Sequence, residues 1–80
     1  MNSKEIEEKL IKIFKEILKT KSEEIINISQ DNSKNWDSVN HMHLIMDIES
    51  KFNISLDEKD VVQIKDYNSC TKIIRKKINA

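Results

Sequence analysis

Neither glycine nor proline occurs in this sequence of 80 residues, so the two residue types that most often mark turns are missing. Asparagine, serine and aspartate must therefore separate the regular elements. The single cysteine excludes an internal disulfide framework, and we expect the protein to reside in the reducing cytoplasm. One Trp, one Tyr and two Phe suffice for a small core but not for a deep, enclosed cleft.

Long apolar runs are missing as well. No stretch approaches the roughly 20 apolar residues that a membrane-spanning helix needs. Residues 1–5 lack the apolar segment that a secretory signal would have. We therefore expect one domain over residues 1–80, without membrane insertion.

Charge of one sign does not dominate either, since 14 basic residues balance 14 acidic ones. The charges are nevertheless unevenly spread: residues 36–60 carry a formal charge of −4, and residues 61–80 carry +4. The basic segment lacks the interleaved aromatic residues that are typical of a nucleic-acid-binding surface. We expect a solvated helix face there and no nucleic-acid partner.

Apolar residues recur at helical spacing, and no strand-like alternation persists. The pattern predicts an all-α fold, a small bundle of three longer helices and one short third helix. The predicted ranges are 3–19, 38–51 and 57–63, with a last helix that starts at residue 68 or 69. The polar segment 20–36 is predicted to be a loop that Ile25, Ile26 and Ile28 pin to the core, with a possible helical turn at Ser22–Ile26.

Each predicted helix start offers a polar residue that can cap it. The candidates are Asn2 or Ser3 for the first helix, Asp37 or Ser38 for the second, Ser55 in the capping-box pattern Ser55-Leu56-Asp57-Glu58 for the third, and Asn68 or Ser69 for the last.

The apolar side chains of the second helix cover an arc of about 220° at ~100° per residue. A helix that only docks on a core needs a stripe somewhat wider than ~100°. The extra width predicts a second contact, with a partner or a ligand. The candidates for this contact are Val39, Met42 and Met46, with Asp47 and Glu49 as acidic neighbours. The alternative is that Met42 and Met46 complete a loose core.

Three segments in this order resemble acyl carrier proteins: Asp37-Ser38-Val39, then Leu44-Ile45-Met46-Asp47-Ile48-Glu49, and then Phe52-Asn53-Ile54-Ser55-Leu56. The resemblance implies a four-helix fold in which a phosphopantetheinyl transferase uses coenzyme A to attach 4′-phosphopantetheine to Ser38. The thiol of this arm would hold acyl groups as thioesters. Asp37 matches the aspartate that helps the transferase to position Mg²⁺ and coenzyme A.

The resemblance also implies a role without catalysis, as a monomer that presents its cargo to acyl-loading, acyl-transfer or ketosynthase-type enzymes. A cavity between the helices would shelter the acyl chain. The candidates for its walls, or for the adjoining core, are Leu44, Ile45, Ile48, Phe52, Ile64 and Ile73.

Several residues depart from the pattern of general fatty-acid carriers. Val39 replaces the usual leucine, and Asn35-Trp36 stands where many of those carriers have Gly-Ala. His43, Ser50 and Lys51 occupy positions that are often acidic. The departures favour a specialised pathway of the polyketide, nonribosomal, D-alanylation or surface-glycan type. A general fatty-acid carrier and an unmodified helical interaction module are the alternatives.

Trp36 and His41 each have two interpretations. Trp36 packs the loop onto the helix start, or it contacts the arm or a partner. His41 is a structural histidine bonded to a loop carbonyl, or it lies near the acyl chain. A nucleophilic Ser38–His41 pair would lack an evident oxyanion hole. His41 and His43 diverge on a helix, so we expect no metal site. Cys70 is expected to be a small buried residue.

Overall fold

The computed structural model describes residues 2–79, which form five helical segments and no β-strand. They are α1 (Ser3–Leu18), a 3₁₀ helix (Ser22–Asn27), α2 (Ser38–Phe52), α3 (Glu58–Gln63) and α4 (Tyr67–Asn79). The Cα radius of gyration is 11.5 Å, close to the ~11.6 Å expected for a compact chain of this length. The all-α prediction is confirmed, and the possible turn at Ser22–Ile26 is a 3₁₀ helix.

Two helices end in residues that replace the missing glycines. Lys19 follows α1 with φ 55°, and Asn53 follows α2 with φ 53°. Both lie in the left-handed region, where helices usually place glycine. The backbone N–H of Ile54 donates to Glu49 O (3.2 Å) and closes the end of α2.

The first two helix starts are capped as predicted. Asn2 Oδ1 accepts the N–H of Glu5 (2.9 Å), and Asp37 Oδ1 accepts the N–H of Asn40 (2.8 Å). Of the two candidates for α2, Asp37 is therefore the cap. Ser38 is the first residue inside the helix.

The predicted cap of α3 is wrong by two residues. Asp57, not Ser55, forms the capping box: Asp57 Oδ1 accepts the N–H of Asp60 (2.9 Å), and Asp60 Oδ2 accepts the N–H of Asp57 (3.1 Å). The two carboxylates satisfy each other's backbone donors, which a charged acceptor does more strongly than a hydroxyl.

The predicted cap of α4 is also wrong. Asp66 caps this helix, because its Oδ1 accepts the N–H of Ser69 at 2.7 Å. In turn, Ser69 Oγ accepts hydrogen bonds from the backbone N–H groups of Lys65 and Asp66. The Ser69 backbone N–H is the main reason why the pKa of Asp66 is lowered. The helix consequently begins at Tyr67.

One apolar core joins α1, α2 and α4, and the ring of Phe14 lies within it. Phe14 meets Trp36 and Tyr67 edge-on, with ring centroids 5.5 and 5.9 Å apart. Ile25 is buried and Ile28 is half-buried, but Ile26 is exposed. The prediction that all three isoleucines pin the loop is therefore wrong for Ile26, which the 3₁₀ helix turns outwards. No helix within residues 2–79 has the length and apolar character needed to cross a membrane.

Candidate functional site

Ser38 lies at the first position of α2, and its side chain is exposed. Within residues 2–79 its hydroxyl has no hydrogen-bond partner. The first backbone N–H groups of a helix lack acceptors inside the helix, and together with the helix dipole they favour a negative group. The Ser38 oxygen is thus accessible, unengaged and set where an attached phosphate would be stabilised.

Side-chain amides hold this helix start in place. Asn40 Nδ2 donates to Asn35 O (2.7 Å), and Asn35 Nδ2 donates to Leu18 O at the end of α1 (2.9 Å). The N–H of Trp36 donates to Ser33 O (3.2 Å). The start of α2 is therefore tied to the end of α1 through the residues that precede Ser38.

The imidazole of His41 is engaged at both nitrogens. Nδ1 lies 2.9 Å from Trp36 Nε1 and 3.0 Å from Gln30 Nε2, and Nε2 lies 2.9 Å from Val61 O in α3. His41 was expected to bond to a carbonyl of the loop if its role is structural. The carbonyl that it contacts instead belongs to Val61 in α3, so this detail of the prediction is wrong. Because neither nitrogen is directed at Ser38, the imidazole cannot serve as a base for that hydroxyl.

Trp36 is buried and stacks on the His41 ring, with centroids 6.1 Å apart and an interplanar angle of 25°. Its contacts with Phe14 and His41 agree with the interpretation that it packs the loop onto the helix start. An indole in this position leaves little surface for a partner.

An exposed apolar strip runs along α2 from the residue after Ser38. Val39, Met42 and Met46 are 63%, 50% and 60% exposed. The alternative in which the two methionines complete the core is therefore excluded.

The two acidic candidates beside this strip differ. Asp47 is half-buried and makes no ion pair within the described chain. Glu49 Oε2 accepts the N–H of Leu56 at 2.9 Å and so fastens the connection between α2 and α3. Glu49 has a structural task that the sequence pattern did not reveal.

The residues expected to line an acyl cavity or the core are all buried in the single core: Leu44, Ile45, Ile48, Phe52, Ile64 and Ile73. Three surface pockets of about 240, 170 and 200 Å³ are lined by other residues. In this conformation, the six side chains pack against protein.

Sequence reasoning missed Gln30 and Val61, which together with Trp36 complete the surroundings of His41. Nothing in the sequence marks Val61, because its contribution is a backbone carbonyl that only the packing of α3 brings near. The polar character of the 20–36 loop indicated at most that some of its amides would face the helices.

Other reactive groups are placed apart from Ser38. Cys70 is buried, and burial raises the pKa of its thiol, which makes it a poor nucleophile. The part of the chain that the structure describes brings no three His, Cys, Asp or Glu side chains together as a metal site. His41 is buried, whereas His43 is exposed.

No family model matches this sequence, and no curated protein matches it.

Proposed function

We propose that this protein is a discrete acyl carrier protein whose Ser38 carries 4′-phosphopantetheine. The observation that carries the proposal is the accessible, unengaged Ser38 hydroxyl at the first position of α2, beside the exposed cap residue Asp37. The pattern over residues 36–74, which resembles acyl carrier proteins, supports the same proposal.

The site fits the group in three respects. The Ser38 oxygen is exposed, the helix start favours the phosphodiester charge, and the neighbouring residues Asp37 and Val39 are exposed as well. In the attachment step, the Ser38 oxygen bonds to phosphorus and displaces the nucleotide part of coenzyme A, while its proton passes to a base of the transferase. When bound, the arm supplies a thiol for thioester chemistry.

Asp37 has two compatible tasks in this proposal. Its Oδ1 caps α2, and its exposed carboxylate is available to help the transferase position Mg²⁺ and coenzyme A. A carboxylate has two oxygens, so one can accept the Asn40 N–H while the other faces the enzyme.

The finer architecture proposed here is the four-helix carrier bundle, with α1, α2 and α4 as the longer helices and α3 as the short third one. The lengths of 16, 15, 6 and 13 residues support it. The six buried residues of the expected cavity would have to part for an acyl chain to enter. An acyl chain would therefore rest between the helices only after this core opens.

The partner enzymes would approach along the exposed strip of Val39, Met42 and Met46, with Asp47 as its acidic neighbour. Methionine adapts its shape to varied surfaces. Because His43, Ser50 and Lys51 leave α2 with few acidic groups, electrostatic attraction to basic partners would be weak. A specialised pathway is thus favoured over general fatty-acid synthesis.

The deciding experiment is mass spectrometry after incubation with coenzyme A, Mg²⁺ and a broad-specificity transferase. We expect a gain of one phosphopantetheinyl group, which is lost in Ser38→Ala. Ser3→Ala is the matched control, because Ser3 is also an exposed serine at the first position of a helix and follows the cap Asn2. It should keep the full mass gain.

The second candidate function is an unmodified helical interaction module, which the exposed strip on α2 favours. If several active transferases leave the wild-type mass unchanged, the carrier proposal fails and this one takes its place. A serine enzyme would instead be labelled by serine-directed probes at Ser38. We expect no labelling, since both nitrogens of His41 are engaged elsewhere.

A further inference from the structure

His41 connects three separate segments of the chain at one buried point. The imidazole belongs to α2, accepts from Trp36 and Gln30 in the preceding loop, and contacts Val61 O in α3. The residue is only 9% exposed. Gln30 lies 11 residues before His41 in the sequence, and Val61 lies 20 residues after it.

These partners fit one tautomer of the imidazole ring. The indole of Trp36 can only donate, so Nδ1 must carry a lone pair. The carbonyl of Val61 can only accept, so Nε2 must carry the hydrogen. The three contacts are thus satisfied together by the neutral tautomer that carries its hydrogen on Nε2.

A second proton has only Nδ1 to occupy, and the indole N–H of Trp36 already points at that nitrogen. The added N–H would point at the indole N–H of Trp36, which can only donate, so that contact would be lost. The side-chain amide of Gln30 carries an oxygen as well as its NH₂ group and can turn to accept the new N–H. The bond from Nε2 to Val61 O would survive protonation. Protonation of His41 therefore breaks its contact with the loop and keeps its contact with α3.

No nearby ion pair compensates for such a charge. Within residues 2–79 no carboxylate oxygen lies within 4.0 Å of a His41 ring nitrogen. The α1 residue in this region is the apolar Phe14, which packs on Trp36. Asp60 is already paired with Lys77 at 2.8 Å. The charged or titratable residues closest in sequence to these contacts are Asp37 and His43 on α2, Asp31 and Lys34 in the loop, and Lys59 and Asp60 on α3.

We propose that His41 is a proton-sensitive latch that holds the loop before Ser38 against α2 while it is neutral and releases Trp36 when it is protonated. The release would loosen the segment that sets the position of Ser38 and Asp37. That consequence for the modified serine rests on the proposed function. The latch itself does not, and its test needs no transferase.

Trp36 is the one tryptophan of the chain, so its fluorescence and its indole N–H resonance report directly on the latch. The experiment lowers the pH from about 8 to about 4.5, a range that brackets ordinary histidine titration. NMR follows the imidazole nitrogens of both histidines together with the Trp36 indole. We expect the indole resonance to shift and the emission to move to longer wavelength as His41 gains its proton, with helical content retained.

Two variants separate the latch from general acid effects. His43→Gln removes the exposed histidine of the same helix and should leave the Trp36 transition unchanged. His41→Gln, whose side chain does not titrate, should abolish it. The wild-type NMR titration stands on its own if His41→Gln does not fold.

Three results would overturn the proposal. One is a Trp36 signal that stays constant while the His41 nitrogens show protonation. Another is a Trp36 transition of equal size in a folded His41→Gln protein. The third is a wild-type His41 that stays neutral down to about pH 4.5, since the latch would then have no accessible trigger.

Discussion

Asp37 and Ser38 share the start of α2 but contribute to it in different ways. Asp37 lies outside the helix in extended conformation and accepts the Asn40 N–H at 2.8 Å. Ser38 is inside the helix, so its hydroxyl is not needed for capping. The division explains how one residue can stabilise the helix while its neighbour remains open to modification.

Substitution of Asp37 can separate its capping from its proposed help to the transferase. Asp37→Asn should keep the cap and lower the free energy of unfolding by less than about 0.5 kcal/mol, whereas Asp37→Ala should cost about 1 kcal/mol. In contrast, both variants should slow phosphopantetheinylation, because each removes the carboxylate. Urea unfolding and a mass-spectrometric time course measure the two effects.

If Asp37→Asn is phosphopantetheinylated at the wild-type rate, Asp37 only caps α2 and does not help the transferase. Ser3→Ala provides the rate control, because it alters another helix start and leaves Asp37 in place.

At the scale of elements, α3 is fixed at both of its ends. Its start has the reciprocal capping box of Asp57 and Asp60, and Asp60 Oδ2 also contacts Lys77 Nζ of α4 at 2.8 Å. At the same end, Glu49 holds Leu56 on the chain entering α3. Towards the other end, the His41 ring contacts Val61 O. A helix of six residues has little stability of its own, so these polar contacts determine its position.

The contact between α3 and α4 should make stability depend on pH. The hydrogen bond from Lys77 is the main cause that lowers the pKa of Asp60, and the backbone N–H of Asp57 adds to it. A carboxyl group whose pKa is lower in the folded state stabilises the fold above its unfolded pKa of ~3.9. This contribution is lost as the pH falls through the folded pKa.

We therefore expect the free energy of unfolding to fall more steeply below about pH 4 in the wild type than in Asp60→Asn. Lys77→Gln should flatten the acid slope in the same direction. Lys76→Gln is the matched control, since Lys76 is the exposed neighbour on α4 and has no ion pair in the described chain. Urea unfolding at a series of pH values measures the slopes, and equal slopes in all four proteins would contradict this account.

For the molecule as a whole, α2 has two apolar faces with different tasks. Leu44 and Ile48 are completely buried in the core shared with α1 and α4, whereas Met42 and Met46 face outwards. A domain of 80 residues is stable by only about 4–12 kcal/mol, so it can lose little of its buried face. The exposed face can change freely as far as folding is concerned.

Alanine substitutions on the two faces of α2 should lower the free energy of unfolding by very different amounts. Leu44→Ala should lower the free energy of unfolding by about 2–5 kcal/mol, because it leaves a cavity in a packed core. Met46→Ala should change it by no more than about 0.5 kcal/mol, since the side chain is largely exposed. Urea unfolding measures both, and a large loss in Met46→Ala would mean that the strip is not an independent surface.

Helix periodicity was sufficient to predict the four α-helices, with the predicted bounds correct to within two residues. It also identified the apolar positions of α2, because a period of 3.6 residues sorts them onto faces without further information. It could not say which face would be covered, since that depends on where α1 and α4 pack. Capping was predictable at Asn2 and Asp37. It was wrong at Ser55 and at Asn68 or Ser69, because Asp57 and Asp66 begin these helices at other residues and accept the N–H groups of Asp60 and Ser69.

The sequence by itself determined the helical class and the position of Ser38 at a helix start, because both depend on neighbours within a few residues. Only the tertiary structure decided the outward face of α2, the structural task of Glu49 and the ring of partners around His41. Those features depend on atoms that are far apart in the chain, such as Val61 O. They exist only once hydrophobic packing has brought the loop, α2 and α3 to one point.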